Sequence, residues 1–175
     1  TEFGFSATGL DTILKKAKVP KGSFYHYFKS KEAYGLALVD AYDDFFINKL
    51  KFYLEQSEVP ALERIVNFTQ SAIAGMQKYD YKRGCLVGNL NQELNHLSDD
   101  FKTRLMQSYI AWQQQLKRCL DLAQQQQTIN PHINTEQMSE YFWVGWEGAV
   151  MRAKLTQSSK PLTLYTEMFL RALLS

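Results

Sequence analysis

Cysteine, proline and glycine are all scarce in this chain of 175 residues. Two cysteines cannot form a disulfide framework, so we expect a reducing compartment and a cytoplasmic location. Four prolines and nine glycines supply too few turn signals for a fold of many short strands. The sequence has no apolar run of about 18 residues and no charged-then-apolar leader, so we expect no membrane partner and no export signal.

Apolar residues recur at helical spacing along nearly the whole chain, which predicts an all-α fold. Near the N-terminal end, four of them share one face of a short helix: Leu10, Ile13, Leu14 and Ala17. Thr8 and Asp11 form a predicted capping pair before that helix, and Ser30 is a predicted N-cap for a longer one. The same spacing predicts helices over residues 21–27, 30–55, 60–78, 85–95, from 98 to the glutamine run at 124–127, 135–157 and 160–174.

Positive charge is concentrated in the first 35 residues. This stretch contains six lysines against three acidic residues, whereas the remaining 140 residues carry 14 basic and 15 acidic side chains. Such an asymmetry is the electrostatic footprint that a nucleic-acid partner requires, although an ordinary solvated lysine face would give the same count.

The stretch from Thr8 to Ala33 has the pattern of a helix-turn-helix, with two short helices joined by a tight turn. The second helix of this motif enters the major groove, so its outward side chains must be hydrogen-bond donors or stacking rings. Four residues of the second helix meet that need: Lys21, Ser23, Tyr25 and His26. Lys31 lies at the start of the following helix, where its ammonium group could hold a phosphate.

The run from Val19 to Ala33, VPKGSFYHYFKSKEA, closely resembles the signature of TetR-family transcriptional repressors. The resemblance implies an N-terminal helix-turn-helix DNA-binding domain, residues 1–45, and a larger helical ligand-binding and dimerisation domain, residues 46–175. It implies a repressor that leaves its operator when a small-molecule inducer binds or a cysteine is modified. Family members have a further helix before this motif, and residues 1–5 resemble the end of the connection that follows it. We therefore expect that first helix to be absent from this chain.

The same resemblance assigns roles to individual residues of the DNA-binding domain. It implies that Gly22 allows a close approach of the backbone to DNA. It gives the recognition-helix role to Lys21, Ser23, Tyr25 and His26. Contact with phosphate groups is implied for Thr8, Tyr27 and Lys31. The expected partner is a near-palindromic double-stranded operator bound by a homodimer.

Cys85 is the candidate sensor residue, at the start of a predicted helix and close to Arg83. Both features lower the pKa of a thiol and raise its thiolate fraction. The segment from Arg83 to Leu90 resembles the electrophile-responsive branch of the family, which implies modification of Cys85 by quinones, aldehydes or other electrophiles. The alternative is a structural cysteine that acts as a small buried apolar residue.

Aromatic residues cluster in the second half of the chain, where a ligand pocket and a dimer interface are both expected. The candidate ligand contacts, besides Cys85, are His96, Tyr109, Trp112, Gln113, Trp143 and Glu147. By resemblance, the last two helices of both subunits form a four-helix dimer interface. The residues predicted there are Phe142, Trp146, Ala149, Phe169 and Leu173.

No motif of an enzyme or of a metal site is present in the sequence. It has no glycine-rich phosphate loop, no G-x-S-x-G and no H-E-x-x-H, and its three histidines and two cysteines are scattered. We therefore expect no catalytic activity, no metal and no cofactor. The alternative to a DNA-binding repressor is a helical protein that senses small molecules or redox state without binding DNA.

Overall fold

Eight α-helices follow one another in the computed structural model, which describes residues 1–175, and no strand is present. They are α1 (Leu10–Ala17), α2 (Lys21–Tyr27), α3 (Lys31–Leu54), α4 (Ala61–Gln77), α5 (Leu86–Asn91), α6 (Asp99–Gln125), α7 (Thr135–Thr156) and α8 (Lys160–Leu174). A short 3-10 helix, Leu94–His96, separates α5 from α6. None of these helices combines the length and the apolar character needed to cross a lipid bilayer.

The ends of the helices follow the sequence signals in most places. The Ser30 hydroxyl accepts a hydrogen bond from the backbone N–H of Ala33 at 3.0 Å, which confirms the predicted N-cap of α3. The predicted Thr8–Asp11 capping pair is wrong, because α1 is capped one residue later, at Gly9, without a side-chain bond. From its position before the cap, the Thr8 hydroxyl instead donates back to the carbonyl of Gly4 at 2.5 Å.

Five helices form the body of the protein, namely α3, α4, α6, α7 and α8. Helix α6 packs against α3 on one side and α7 on the other, and α8 packs against α7. The core between them is rich in large rings, of which Phe68, Trp112 and Trp143 are almost entirely buried. Helix α3 belongs to this body and also carries the helix-turn-helix at its N-terminal end, so the predicted domain boundary at residues 45 and 46 falls within a continuous helix.

The N-terminal segment is fixed to the body at a contact that we call the N-terminal junction, formed by Phe5, Lys31, Gly35, Glu93 and Phe101. The Glu93 carboxylate accepts hydrogen bonds from the backbone N–H groups of Phe5, at 2.9 Å, and of the next residue, at 2.7 Å. The Lys31 ammonium donates to the carbonyl of Phe5 at 2.7 Å and lies 4.7 Å from the centre of its ring. The junction therefore links the chain just before α1 to α3 and to the segment after α5.

Candidate functional site

Helix α2 presents a polar and aromatic surface because only one of its side chains is buried. Phe24 is 4% exposed, and its ring packs 5.4 Å from that of Phe28 and 5.8 Å from that of Tyr34. Every other residue of α2 is exposed, including Tyr25 at 51% and Tyr27 at 77%. The outward residues predicted from the sequence therefore lie on one accessible helix, which Phe24 anchors to the rest of the protein. They are Lys21, Ser23, Tyr25 and His26.

Lys21 and Gly22, at the start of α2, have different surroundings. The exposed Lys21 ammonium donates to the Asp11 carboxylate of α1 at 2.9 Å, and this hydrogen bond raises the pKa of Lys21. A Cβ added at Gly22 would have no neighbouring atom within 4 Å, so the backbone of α2 faces open space there. A sugar–phosphate backbone could therefore lie directly against the α2 backbone at Gly22.

The three residues predicted to contact phosphate, Thr8, Tyr27 and Lys31, differ in whether they already bond to the protein backbone. Tyr27 is freely exposed, with its ring 5.1 Å from that of His26 in an edge-on arrangement. Lys31 and Thr8, in contrast, already bond to backbone carbonyls of the N-terminal segment. Both residues therefore help to hold that segment in place, whatever else they contact.

A cavity of about 350 Å³ lies between α3, α4, α7 and the connection that leads into α5. Its lining is Thr1, Tyr42, Phe45, Phe46, Lys49, Phe68, Ala72, Gly75, Met76, Tyr79, Arg83, Gly84, Cys85, Trp146, Glu147 and Val150. Most of these side chains are apolar, and few polar groups point among them, which is the usual character of a small-molecule site. The exposed Arg83 lies with its guanidinium group 4.0 Å above the Tyr79 ring.

Cys85 is the N-cap of α5, and its sulfur accepts a hydrogen bond from the backbone N–H of Gly88 at 3.4 Å. Burial raises the pKa of the thiol well above its ordinary value, and the charge of Glu147 raises it further. The bonds from the Gly88 N–H and the Tyr42 hydroxyl lower it by less. The lowered pKa expected from the sequence is therefore wrong, because burial and a neighbouring carboxylate outweigh the favourable position at a helix start.

Glu147 projects from α7 into the same space, where its carboxylate interacts with the Cys85 thiol. Burial raises the pKa of its carboxyl group to about 7, and the interaction with the thiol lowers it by less. Its Oε1 atom is buried without any hydrogen-bond partner. The backbone of Gly88 makes room for this carboxylate, since a Cβ there would overlap its Oε2 atom.

Five of the seven predicted ligand residues do not line the cavity. Trp112 and Trp143 are fully packed core residues, Tyr109 and Gln113 are half-buried outside the lining, and His96 is exposed beside the N-terminal junction. The sequence did not separate these five from the cavity lining, because aromatic spacing marks core and pocket positions alike. Cys85 and Glu147 are the two predicted ligand residues that line the cavity.

Sequence reasoning missed the contribution of α3 to the cavity. Tyr42, Phe46 and Lys49 recur at the spacing i, i+4, i+7, which puts them on one face of that helix, and all three line the cavity. This spacing was the available signal. Burial raises the pKa of the Tyr42 hydroxyl and lowers that of the Lys49 ammonium.

The five residues predicted for the dimer interface are all buried within the subunit, with exposures between 0% and 8%. In the single subunit these five residues therefore form part of the core, because α7 and α8 each have two apolar faces and the inner one holds the core. The outward apolar residues of the same helices include Val144, Met151, Leu155, Leu164 and Met168, and these five we call the α7–α8 outer face. No group of three or more His, Cys, Asp or Glu side chains is arranged to hold a metal ion.

An exposed helix-turn-helix joined by a continuous helix to a helical bundle with a cavity is the architecture of a DNA-binding regulator. Residues 1–37 match the model of bacterial regulatory proteins of the tetR family, and residues 61–169 match the tetracyclin repressor-like C-terminal domain. The transcriptional regulator AcuR of Cereibacter sphaeroides is 44% identical over 97% of this chain and 77% of its own. The chain belongs to the TetR family of transcriptional regulators, whose members bind DNA operators and act as dimers.

Solved structures agree with this assignment. A regulatory protein TetR from Rhodobacter sphaeroides superposes with a TM-score of 0.95, at 43% identity, over 98% of this chain and 90% of that one. The transcriptional repressor NemR of Escherichia coli is 30% identical over 91% of this chain and 80% of its own. The crystal structure of its reduced form superposes with a TM-score of 0.86, at 27% identity, over 98% of this chain and 88% of that one. The family and fold class expected from the VPKGSFYHYFKSKEA run are thus confirmed.

Proposed function

We propose that this regulator binds a near-palindromic operator as a homodimer and leaves it when a small electrophile reacts with Cys85. Each subunit would insert α2 into a major groove, with the two half-sites about 34–36 Å apart. The protein would act in the cytoplasm, by binding rather than by catalysis. The observation that carries the proposal is a thiol that opens into a cavity, on a helix that leads to the N-terminal junction.

The recognition roles rest on the exposed surface of α2. Lys21, Ser23, Tyr25 and His26 would read base edges, and Gly22 would allow the backbone of α2 to approach the DNA. Tyr27, together with Thr8 and Lys31 near the junction, would contact phosphates. Lys31 has three N–H donors and uses two on the carbonyls of Phe5 and Ser6, so one donor remains for a phosphate.

The dimer would form through the α7–α8 outer face rather than through the residues predicted from the sequence. Leu155 is 79% exposed and Val144 is 71% exposed, although both are apolar. A contiguous exposed apolar surface on a protein of this kind marks an interaction site. In a dimer with two-fold symmetry, the same patch on each subunit would cover its counterpart.

Coupling between the cavity and α2 would pass through α5 and the N-terminal junction. Cys85 caps the start of α5, and Glu93, just beyond its end, bonds to the backbone ahead of α1. A bulky adduct on the sulfur would displace α5 and with it the carboxylate that fixes this segment. The effector must interact differently with the bound and released states, and an adduct that fits only one arrangement of α5 supplies that difference.

The resemblance to NemR, whose solved structure is described as a reduced form, supports thiol chemistry at this position. The test is a fluorescence-anisotropy titration of the full-length protein against DNA flanking its own gene, before and after treatment with methyl vinyl ketone. We expect the treatment to abolish binding by the wild type and by Cys119→Ser, but not by Cys85→Ser. Cys119 is the matched control because its thiol is buried against the carbonyl of Ala61 and lies outside the cavity. Binding that survives treatment in the wild type would overturn the electrophile mechanism.

A further inference from the structure

We propose that Glu147 is the base that accepts the Cys85 proton when the thiol adds to an electron-poor alkene in the cavity. This inference rests on the proposed function, since it concerns how Cys85 reacts with an electrophilic effector. A thiol must lose its proton to become a strong nucleophile, and the surroundings of Cys85 disfavour a free thiolate. Another group must therefore take the proton as the sulfur attacks.

The position of Glu147 fits this role. Glu147 and Cys85 line the same cavity, and the carboxylate interacts with the thiol. The Oε1 atom is buried without a partner, so the carboxylate keeps an unused acceptor inside an apolar space. Gly88 lets the carboxylate lie directly against α5, because any larger residue would collide with it.

The addition balances without an oxidant or a reductant. The thiol proton passes to the Glu147 carboxylate while the sulfur forms a bond to the β-carbon of the alkene. The alkene is conjugated to a carbonyl group, so the electron pair of its carbon–carbon double bond moves toward that carbonyl and gives an enolate. The enolate takes the proton back from the carboxylic acid, which leaves a thioether on Cys85 and restores the Glu147 carboxylate.

No other group near the thiol is equally suited to accept the proton. Tyr42 from α3 and Tyr109 from α6 also face this pair, but burial raises the pKa of both hydroxyls, so they stay protonated. Lys49 and Arg83, the basic groups of the lining, can attract an anion but lie outside the hydrogen bonds of the thiol. A carboxyl group with a pKa of about 7 is deprotonated above neutrality, which makes it an effective base in that range.

The test measures the rate of alkylation of Cys85 by methyl vinyl ketone in the full-length protein, between about pH 5.5 and 9.5. Peptide mass mapping separates the Cys85 adduct from any adduct on Cys119. For the wild type we expect the rate to rise through a pKa near 7 and then level off. For Glu147→Gln we expect at least about a hundredfold slower reaction at pH 7.5, the low end of the usual ~10²–10⁴ contribution of a base, and a rate still rising at the alkaline limit.

Three further variants and measurements keep the test decisive. Glu140→Gln makes the same change at an exposed position of α7 and should react like the wild type. Glu147→Asp keeps a carboxylate and should retain the neutral inflection in the pH profile, with circular dichroism confirming that each variant is folded. Equal rates and pH profiles for wild type and Glu147→Gln would overturn the role of Glu147 while leaving Cys85 as the sensor. Failure of wild-type Cys85 to react at all would overturn the proposed function itself.

Discussion

Two buried tryptophans offer a direct test of how the core tolerates polar atoms. Trp112 and Trp143 are 0% and 2% exposed, and their rings lie 5.3 Å apart. The Trp112 indole N–H donates to the buried carboxylate of Asp43 at 2.8 Å, whereas the Trp143 indole nitrogen is buried without a partner. Replacing either residue with phenylalanine removes a similar volume from the same core, so the packing losses largely cancel when the two variants are compared.

The remaining difference comes from hydrogen bonding. Trp112→Phe leaves an Asp43 oxygen buried without its donor, which costs about 1–3 kcal/mol, and Arg104 can compensate only in part because its contact with the other oxygen is 3.4 Å long. Trp143→Phe instead removes a polar group that is already unpaired. We therefore expect Trp112→Phe to lower the free energy of unfolding by at least about 1–3 kcal/mol more than Trp143→Phe. Urea denaturation followed by far-UV circular dichroism, at one protein concentration, measures this difference. Equal losses in the two variants would refute the reasoning.

Three other perturbations test the junction and the dimer. A Cβ at Gly35 would lie 2.5 Å from the Phe5 ring and 2.6 Å from the Phe101 ring. Gly35→Ala should therefore be less stable than the exposed helical control Gly75→Ala by about 1–3 kcal/mol in urea denaturation. Equal stabilities would contradict the packing at the junction. Burial raises the pKa of Glu93, but bonds from two backbone N–H groups and a nearby lysine lower it more, so its folded pKa lies below 4.5. Its stabilisation is therefore present above pH 4.5 and lost as pH falls through the folded value, and the stability difference between wild type and Glu93→Gln should shrink between pH 7 and about 3; a difference that does not change over this range would contradict the assignment. Leu155→Glu places a charge in the α7–α8 outer face and should halve the mass measured by light scattering, as expected for loss of the dimer. Met106→Glu, at an exposed site on α6, should leave the mass unchanged. A dimer that persists in Leu155→Glu would contradict the outer face as the interface.

The sequence was most informative where local spacing decides the structure. Helix α2 was predicted over the extent that the structure shows, 21–27, because Pro20 begins it and a single inward ring, Phe24, fixes its orientation. Ser30 was predicted as an N-cap because a hydroxyl at that position bonds the backbone whatever the tertiary context. The family signature lies in this same stretch, which explains why the fold class and the regulator class followed from it.

The residues of the cavity and of the dimer face were harder to predict, because both depend on contacts between distant segments. Phe142 and Val144 are neighbours on α7, yet one is buried in the core and the other is 71% exposed. Helical periodicity identifies an apolar face but does not say whether that face meets the core or a second subunit. Likewise, the acidity of the Cys85 thiol depends on Glu147, which only the packing of α7 against α5 brings near it.

If α2 reads a specific DNA sequence, as proposed, equilibrium binding will distinguish that sequence from unrelated DNA. The full-length protein is titrated against DNA flanking its own gene and against a shuffled duplex of equal length and composition, over a range of salt concentrations. We expect the flanking DNA to bind tighter by about 10³-fold or more, with both affinities falling as salt rises, and this ratio to collapse in Tyr25→Ala. Equal wild-type affinity for the two duplexes at every salt concentration would show that α2 does not read a specific sequence.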